Sequence, residues 1–216
     1  MPGIIVFLGP SLPRSQAEAI LTATYLPPVA RGDVLRAVET GAKTVCIIDG
    51  VFHQESAVGH REILDALRRG VSVVGASSMG ALRAAEMDTL GMVGIGEVYR
   101  MYREGLLDSD DEVALVFDPV TGDALSEPLV NIRATLRSAQ EKGVIDATAH
   151  TVLLAAARSL YYPERTYPRI CEQTREELPT TVCRGFLEFV TTGAVDIKRN
   201  DACEALVYIR DRMLRS

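Results

Sequence analysis

With 216 residues and 47% hydrophobic side chains, the chain can bury one sizeable core with a helical extension. A formal charge of -6 and a pI near 5.2 exclude a general nucleic-acid binder, which presents a basic face to phosphates. No run approaches the roughly 18 apolar residues of a membrane span, and MPGIIVFLGP has neither the basic start nor the cleavage site of a signal peptide, so a cytoplasmic protein with no membrane contact is expected.

Three short β-branched runs come first in chain order: 3–8 (GIIVFL), 43–48 (KTVCII) and 71–74 (VSVV), each bounded by Gly or Pro, with helical patterns between them. This order predicts βαβαβ. Strands apolar on both faces suit a buried parallel sheet, so the fold class expected is α/β, an open and mostly parallel sheet with flanking helices, Rossmann-like in the first half. Ligands of such sheets gather beyond the carboxyl ends of the strands, where GPSLP (9–13), DGVF (49–52) and GASSMG (75–80) should converge. The stretch SDDEVALVF (109–117), followed by DPVTGD, predicts a strand and turn joining two halves. From about Asn131 the pattern changes to helices with Ala and Leu on one face, broken by Pro163 and Pro168. Two regions are therefore expected, an α/β core over 1–130 and a mainly helical region over 131–216 packed on it.

Several chemistries lack their residues. Cys46, Cys171, Cys183 and Cys203 are scattered without a C-x-x-C pair, so neither disulfides nor a metal site is implied. His53-Gln-Glu55 and His60-Arg-Glu62 spell the H-x-E half of a zinc deaminase, but its P-C-x-x-C half is missing. H-E-x-x-H, G-x-x-x-x-G-K-[ST] and a strand-following G-x-G-x-x-G are missing too, and no cofactor is implied.

The strongest local signal is GASSMGALRAAE (75–86), two serines at a strand-to-helix turn among small residues. In Ala76-Ser77-Ser78-Met79-Gly80 the second serine stands in a relaxed G-x-S-x-G pattern, where a sharp turn exposes a nucleophile and aims backbone N–H groups at an oxyanion. Ser78 is thus the candidate nucleophile, with Ser77, Met79 and Gly80 beside it as candidate substrate-binding residues. The competing reading is that either serine merely caps the helix.

Other candidates converge on the same edge. Asp49 could orient a base, bind a cation, or be a turn residue bonding its own backbone. Ser11 and Gly9 could offer N–H groups to an anion. Arg83 and Glu86, three apart, read as an ion pair, with Arg83 available to guide a carboxylate-like substrate. His60 shares a helical face with Ile63, Leu64 and Leu67 and reads as a hydrogen-bonded core histidine, with a role in the chemistry as the alternative. Asp110, Asp111 and Glu112 read as a solvated acidic run, and the glycines of GMVGIGEVY (91–99) as tight turns or points of close approach.

Taken together, GPSLP, PPVARGD (27–33), IIDGVF (47–52), HREIL (60–64), GASSMGALRAAE, GMVGIGEVY and DDEVAL (110–115) resemble the TfuA-like family, whose core corresponds to about Ala42–Leu129. The resemblance implies a partner of YcaO enzymes, which activate a peptide amide with ATP to install a thioamide. It implies that a Ser–Lys pair hydrolyses the C-terminal thiocarboxylate of a small ThiS-type sulfur carrier, releasing sulfide, and that the protein helps YcaO hold its peptide substrate. Serine needs a base, and a desolvated lysine can serve. Of the three lysines, Lys198 lies in DIKRNDA, similar to the family's C-terminal K-R-x-D-A pattern, and is the expected base. Lys43 reads as a surface residue and Lys142 as a helix-end cation beside a glycine. One departure bears on this: relatives read H-K-E-I-L where Arg61 stands here, and arginine cannot lose its proton at neutral pH. A noncatalytic adaptor that docks carrier and peptide onto YcaO is the alternative.

Overall fold

The computed structural model describes residues 3–52, 56–118 and 121–214, so the His53 and Glu55 of the first H-x-E match lie outside the described residues. Five parallel strands, β1 (Ile4–Phe7), β2 (Thr24–Leu26), β3 (Thr44–Ile47), β4 (Ser72–Ala76) and β5 (Val93–Ile95), form one sheet in the order β2-β1-β3-β4-β5. The α/β expectation is thus met. The strands β2 and β5, absent from the βαβαβ reading, are three-residue edge strands too short to show an apolar run.

Helices α1 (Arg14–Ile20), α2 (Asp33–Glu39), α3 (His60–Arg68), α4 (Met79–Met87) and α5 (Glu97–Arg103) follow strands β1 to β5 in turn. Further on come α6 (Leu129–Glu141), α7 (Ala147–Ser159), α8 (Tyr167–Gln173), α9 (Thr180–Gly193) and α10 (Ile197–Met213). Successive side chains of a strand point to opposite faces, and both faces here are apolar. Ile5, Phe7, Val45, Ile47 and Val73 pack with Val34 and Ala37 of α2, Ile63 and Ala66 of α3, and Ala84 and Met87 of α4. On the other face, Ile4, Val6, Cys46, Val74 and Ala76 pack with Ala17 of α1 and with Ala202, Ala205, Leu206 and Ile209 of α10. Cys46 is a core residue, and burial pushes its thiol up to about 12.

The chain divides into two compact units: one runs to Asp110 and resumes at Lys198, and the other is Asp111–Ile197. The second unit has its own core, including Ile132 and Leu136 of α6, Leu153 of α7, Ile170 of α8 and Phe186 of α9. The strand expected over 109–117 is not formed: a 3-10 turn occupies Asp110–Glu112 and only an isolated antiparallel bridge joins Phe117 to Ala124. The acidic run is solvated only in part, with Asp110 exposed and the Asp111 side chain 39% exposed, while Glu112 is buried. Asp111 accepts from the buried Arg165, and the Glu112 carboxylate, 4% exposed, receives Nε and Nη2 of Arg133 at 2.9 and 2.6 Å. Glu112 is drawn inward because the planar Arg133 guanidinium satisfies its carboxylate bidentately. Among the described residues no helix is long and apolar enough to cross a membrane.

Candidate functional site

In this strand order the chain reverses its direction of winding between β1 and β3, and such a switch point is where open α/β sheets leave a crevice beyond the carboxyl ends. The loops after β1 and β3 meet there through Asp49. Its buried carboxylate accepts Gly9 N–H at 2.8 Å, Ser11 N–H at 3.2 Å and the Ser11 hydroxyl at 2.6 Å. Asp49 therefore bonds the neighbouring loop instead of its own turn, and Ser11, 4% exposed, serves as its partner. These donors compensate the cost of burying a carboxylate.

Beyond the adjacent β4 lies the serine turn. Gly75 and Gly80 make it possible: a Cβ on Gly75 would overlap the Gly80 carbonyl, and one on Gly80 would overlap the carbonyl of Ile47. The helix can thus start directly against β3 and β4. Ser77 has φ 69°, the sole positive φ among described residues other than glycine, a conformation that L-residues adopt rarely. Ser78 is the residue at the N-cap of α4, yet its side chain makes no capping hydrogen bond, which removes the bland reading of that serine. Both serines are buried, Ser78 to 1% exposure.

The backbone donors of the turn distinguish the serines. The Ser78 N–H is already bonded to the Ala76 carbonyl at 2.8 Å, Gly80 N–H reaches the Ile48 carbonyl at 3.4 Å, and Ala81 N–H reaches that of Ser78. Met79 N–H has no turn or loop acceptor among the described residues. In strand–turn–helix nucleophile sites the N–H that follows the nucleophile binds the oxyanion. That donor is available after Ser78 and committed after Ser77.

Lys198 belongs to the same unit and is 2% exposed in the first turn of α10, so it meets the condition of desolvation. Two neighbours locate that turn. Arg199 donates to Gln16 in α1, which follows the end of β1, and Asp201 accepts the N–H groups of Glu97 and Val98, which follow the end of β5. The far end of α10, Tyr208–Met213, lines a cavity with Thr44 and Ser72 at the starts of β3 and β4. Helix α10 therefore runs against the strand direction and brings Lys198 to the carboxyl edge, the edge that also holds Ser78. Lys43 is exposed, and the exposed Lys142 lies over the Phe189 ring at 5.1 Å.

A cleft of about 650 Å³ opens beside the serine turn, lined by Met79, Leu82, Arg83 and Glu86 of α4, by Gly59 and His60, and by Arg31, Phe52 and residues 108–110. The Arg83–Glu86 ion pair is present at 2.6 Å, and Arg83 Nε also donates to the Val58 carbonyl at 3.0 Å. His60 is not a core residue. It is the first residue of α3, its side chain is 55% exposed, and it bonds Glu86 at 2.7 Å on the rim, because the first turn of this helix projects beyond the packed face that Ile63 and Ala66 supply. Arg61 is exposed.

Two positioning groups escaped the reading of the sequence. Glu62, 6% exposed, accepts Gly59 N–H at 2.8 Å and Gly32 N–H at 3.0 Å, so it ties the loop after β2 to the start of α3. The capping spacing from Gly59 to Glu62 was a signal for half of this role. Asp201 binds the start of α5 with both carboxylate oxygens, at 2.8 Å each, and a pairing between residues so distant along the chain has no local signature. In the second unit, Cys171 and Cys183 come together despite the absence of a cysteine motif. Each thiol points at the other's carbonyl, and burial, then the neighbouring Cys183, pushes Cys171 up to about 12.

Comparison with protein-family models finds a match to a model described as TfuA-like protein over residues 49–166, which takes in the serine turn, the cleft-forming face of α4 and the Asp110–Glu112 turn. A search of curated proteins finds no match.

Proposed function

From membership of the TfuA-like protein family, to which this chain belongs, we propose that the protein acts beside a YcaO enzyme in peptide backbone thioamidation, hydrolysing the C-terminal thiocarboxylate of a ThiS-type carrier to release sulfide. Ser78 is the nucleophile and Lys198 the base. The observation that carries this reading is the N-cap serine of α4 with no capping bond, followed by a Met79 N–H that has no turn or loop acceptor among the described residues. Such a pair is idle in a structural turn and useful in acyl transfer.

The Ser78 oxygen forms a bond to the thiocarboxylate carbon while its proton passes to Lys198. The oxyanion is held by Met79 N–H at the start of α4, where the helix dipole also favours negative charge. Collapse breaks the C–S bond, and the proton on Lys198 leaves with the sulfur as hydrosulfide, HS⁻, which takes its second proton from solvent. Water, deprotonated by the same lysine, then cleaves the acyl-enzyme to a carboxylate and frees Ser78. The cleft beside Met79 supports entry of a carboxylate-bearing tail, with Arg83 held rigid by Glu86 and the Val58 carbonyl.

The test incubates the purified protein with a thiocarboxylated ThiS-type carrier and follows loss of sulfur by intact mass. Wild type should turn over, while Ser78→Ala and Lys198→Met, which keeps the length of the buried stem, should not. A wild-type protein that binds the carrier without turnover would sink the hydrolase reading and leave the adaptor role.

A further inference from the structure

The hydroxyl of Ser77 has no part in the mechanism above, and its situation is unusual. Ser77 is 0% exposed, and its Oγ is the single buried side-chain nitrogen or oxygen among the described residues with no hydrogen-bond partner. An unsatisfied buried hydroxyl is costly, commonly by about 1–3 kcal/mol. The same residue carries the left-handed backbone at φ 69°, which adds strain. Serine is not needed for the turn itself: glycine takes this φ freely and carries no hydroxyl to desolvate. Two costs at one buried position, directly before the N-cap of α4, point to a ligand-facing use of the hydroxyl.

We propose that Ser77 is a further catalytic residue, its hydroxyl donating a second hydrogen bond to the oxyanion that Met79 N–H receives. The inference rests on Ser78 being the nucleophile. Acyl-transfer sites pair a backbone N–H with a second donor, because a tetrahedral oxyanion has room for two, and a donor with no other partner costs no reorganisation when the charge develops. The Ser78 N–H cannot supply it, being bonded to Ala76, and Gly80 N–H is directed at the Ile48 carbonyl. Ser77 Oγ is the remaining polar group of the turn without a partner. Its placement on a strained residue fits a group held in position before the substrate arrives.

A fluorophosphonate probe tests this without presupposing the natural substrate. The Ser78 oxygen bonds to phosphorus, fluoride leaves, the serine proton passes to the base, and the phosphoryl oxygen occupies the oxyanion position. Labelling of the full chain is followed by intact mass and the modified serine located by peptide mapping. Wild type should be labelled at Ser78, with Ser77→Gly and Ser77→Ala about 10²–10³-fold slower. The Ser77→Gly chain should melt no lower than wild type, because glycine relieves the left-handed strain. A rate in Ser77→Gly equal to wild type overturns the proposal, as does labelling of Ser77 itself or a wild type that is not labelled at Ser78. Labelling at Ser78 that slows in Ser77→Gly, in a protein inert towards the thiocarboxylated carrier, would instead support the Ser77 role while removing the substrate assigned above.

Discussion

The Ser11 hydroxyl donates to the Asp49 carboxylate at 2.6 Å, joining the loop after β1 to the end of β3 at the point where the sheet changes its direction of winding. A carboxylate buried with three donors depends on all of them. Asp49→Ala should therefore cost about 3 kcal/mol in urea unfolding and Ser11→Ala about 1 kcal/mol. The double variant should lose clearly less than the sum, because both single changes break the same bond. Strict additivity would show that the two loops are held independently.

Glycine positions around the serine turn should differ sharply from glycines elsewhere. Gly80→Ala forces a methyl group into the Ile47 carbonyl, with backbone on both sides, and should abolish soluble expression or lower stability by more than about 3 kcal/mol. Gly185→Ala, inside α9 with nothing near the added Cβ, should raise stability by about 0.5–1 kcal/mol. Thermal melts of the two variants decide the point, and a tolerant Gly80 would mean that α4 can lift off β3.

Asp201 should impose a pH dependence on stability. Burial pushes its carboxyl up from 3.8 to about 6, against the opposing effect of the Glu97 and Val98 N–H groups. Between about pH 4 and 6 the folded chain then binds more protons here than the unfolded chain, so this contribution to stability falls as pH rises through the window and is lost above it. The difference is of order 2 kcal/mol. Asp201→Asn removes this titration, so the melting temperature of wild type relative to that of the variant should climb as pH is lowered from 7 to 4. Parallel pH profiles would show that Asp201 titrates as it does in the unfolded chain.

The proposed role of Lys198 as base can be tested by exchanging lysines. Arg61 is exposed on α3, whereas Lys198 is buried at the carboxyl edge with the serine turn. A lysine placed there by Arg61→Lys should leave the proposed carrier hydrolysis within about twofold of wild type, and it should not rescue Lys198→Met, because an amine in water stays protonated at neutral pH. Rescue by Arg61→Lys, read by the same intact-mass assay, would transfer the role of base to that position.

Local patterning was enough for much of the framework. Three apolar β-branched runs revealed β1, β3 and β4, and the small residues around Ser77 and Ser78 revealed a strand-to-helix turn, because side-chain periodicity and glycine usage are properties of neighbouring residues. The ordered motifs were sufficient for the family. The edge strands β2 and β5 were not legible, since three residues carry no period and their pairing is decided by the strands beside them. His60 was misread for a related reason: its helical face is apolar, but that face is covered only from Ile63 onward.

Which serine has an available N–H after it, where Asp49 directs its carboxylate, and how Lys198 reaches the edge that holds Ser78 were decided by tertiary structure alone. Each depends on a contact between segments far apart in the chain, such as Gly80 against Ile47, Ser11 against Asp49 and Asp201 against the start of α5. Composition and spacing specify which residues are present to react. Their approach is set by close packing of backbone on backbone and by the need of every buried charge for a partner, and both conditions are met only when the chain has closed on itself.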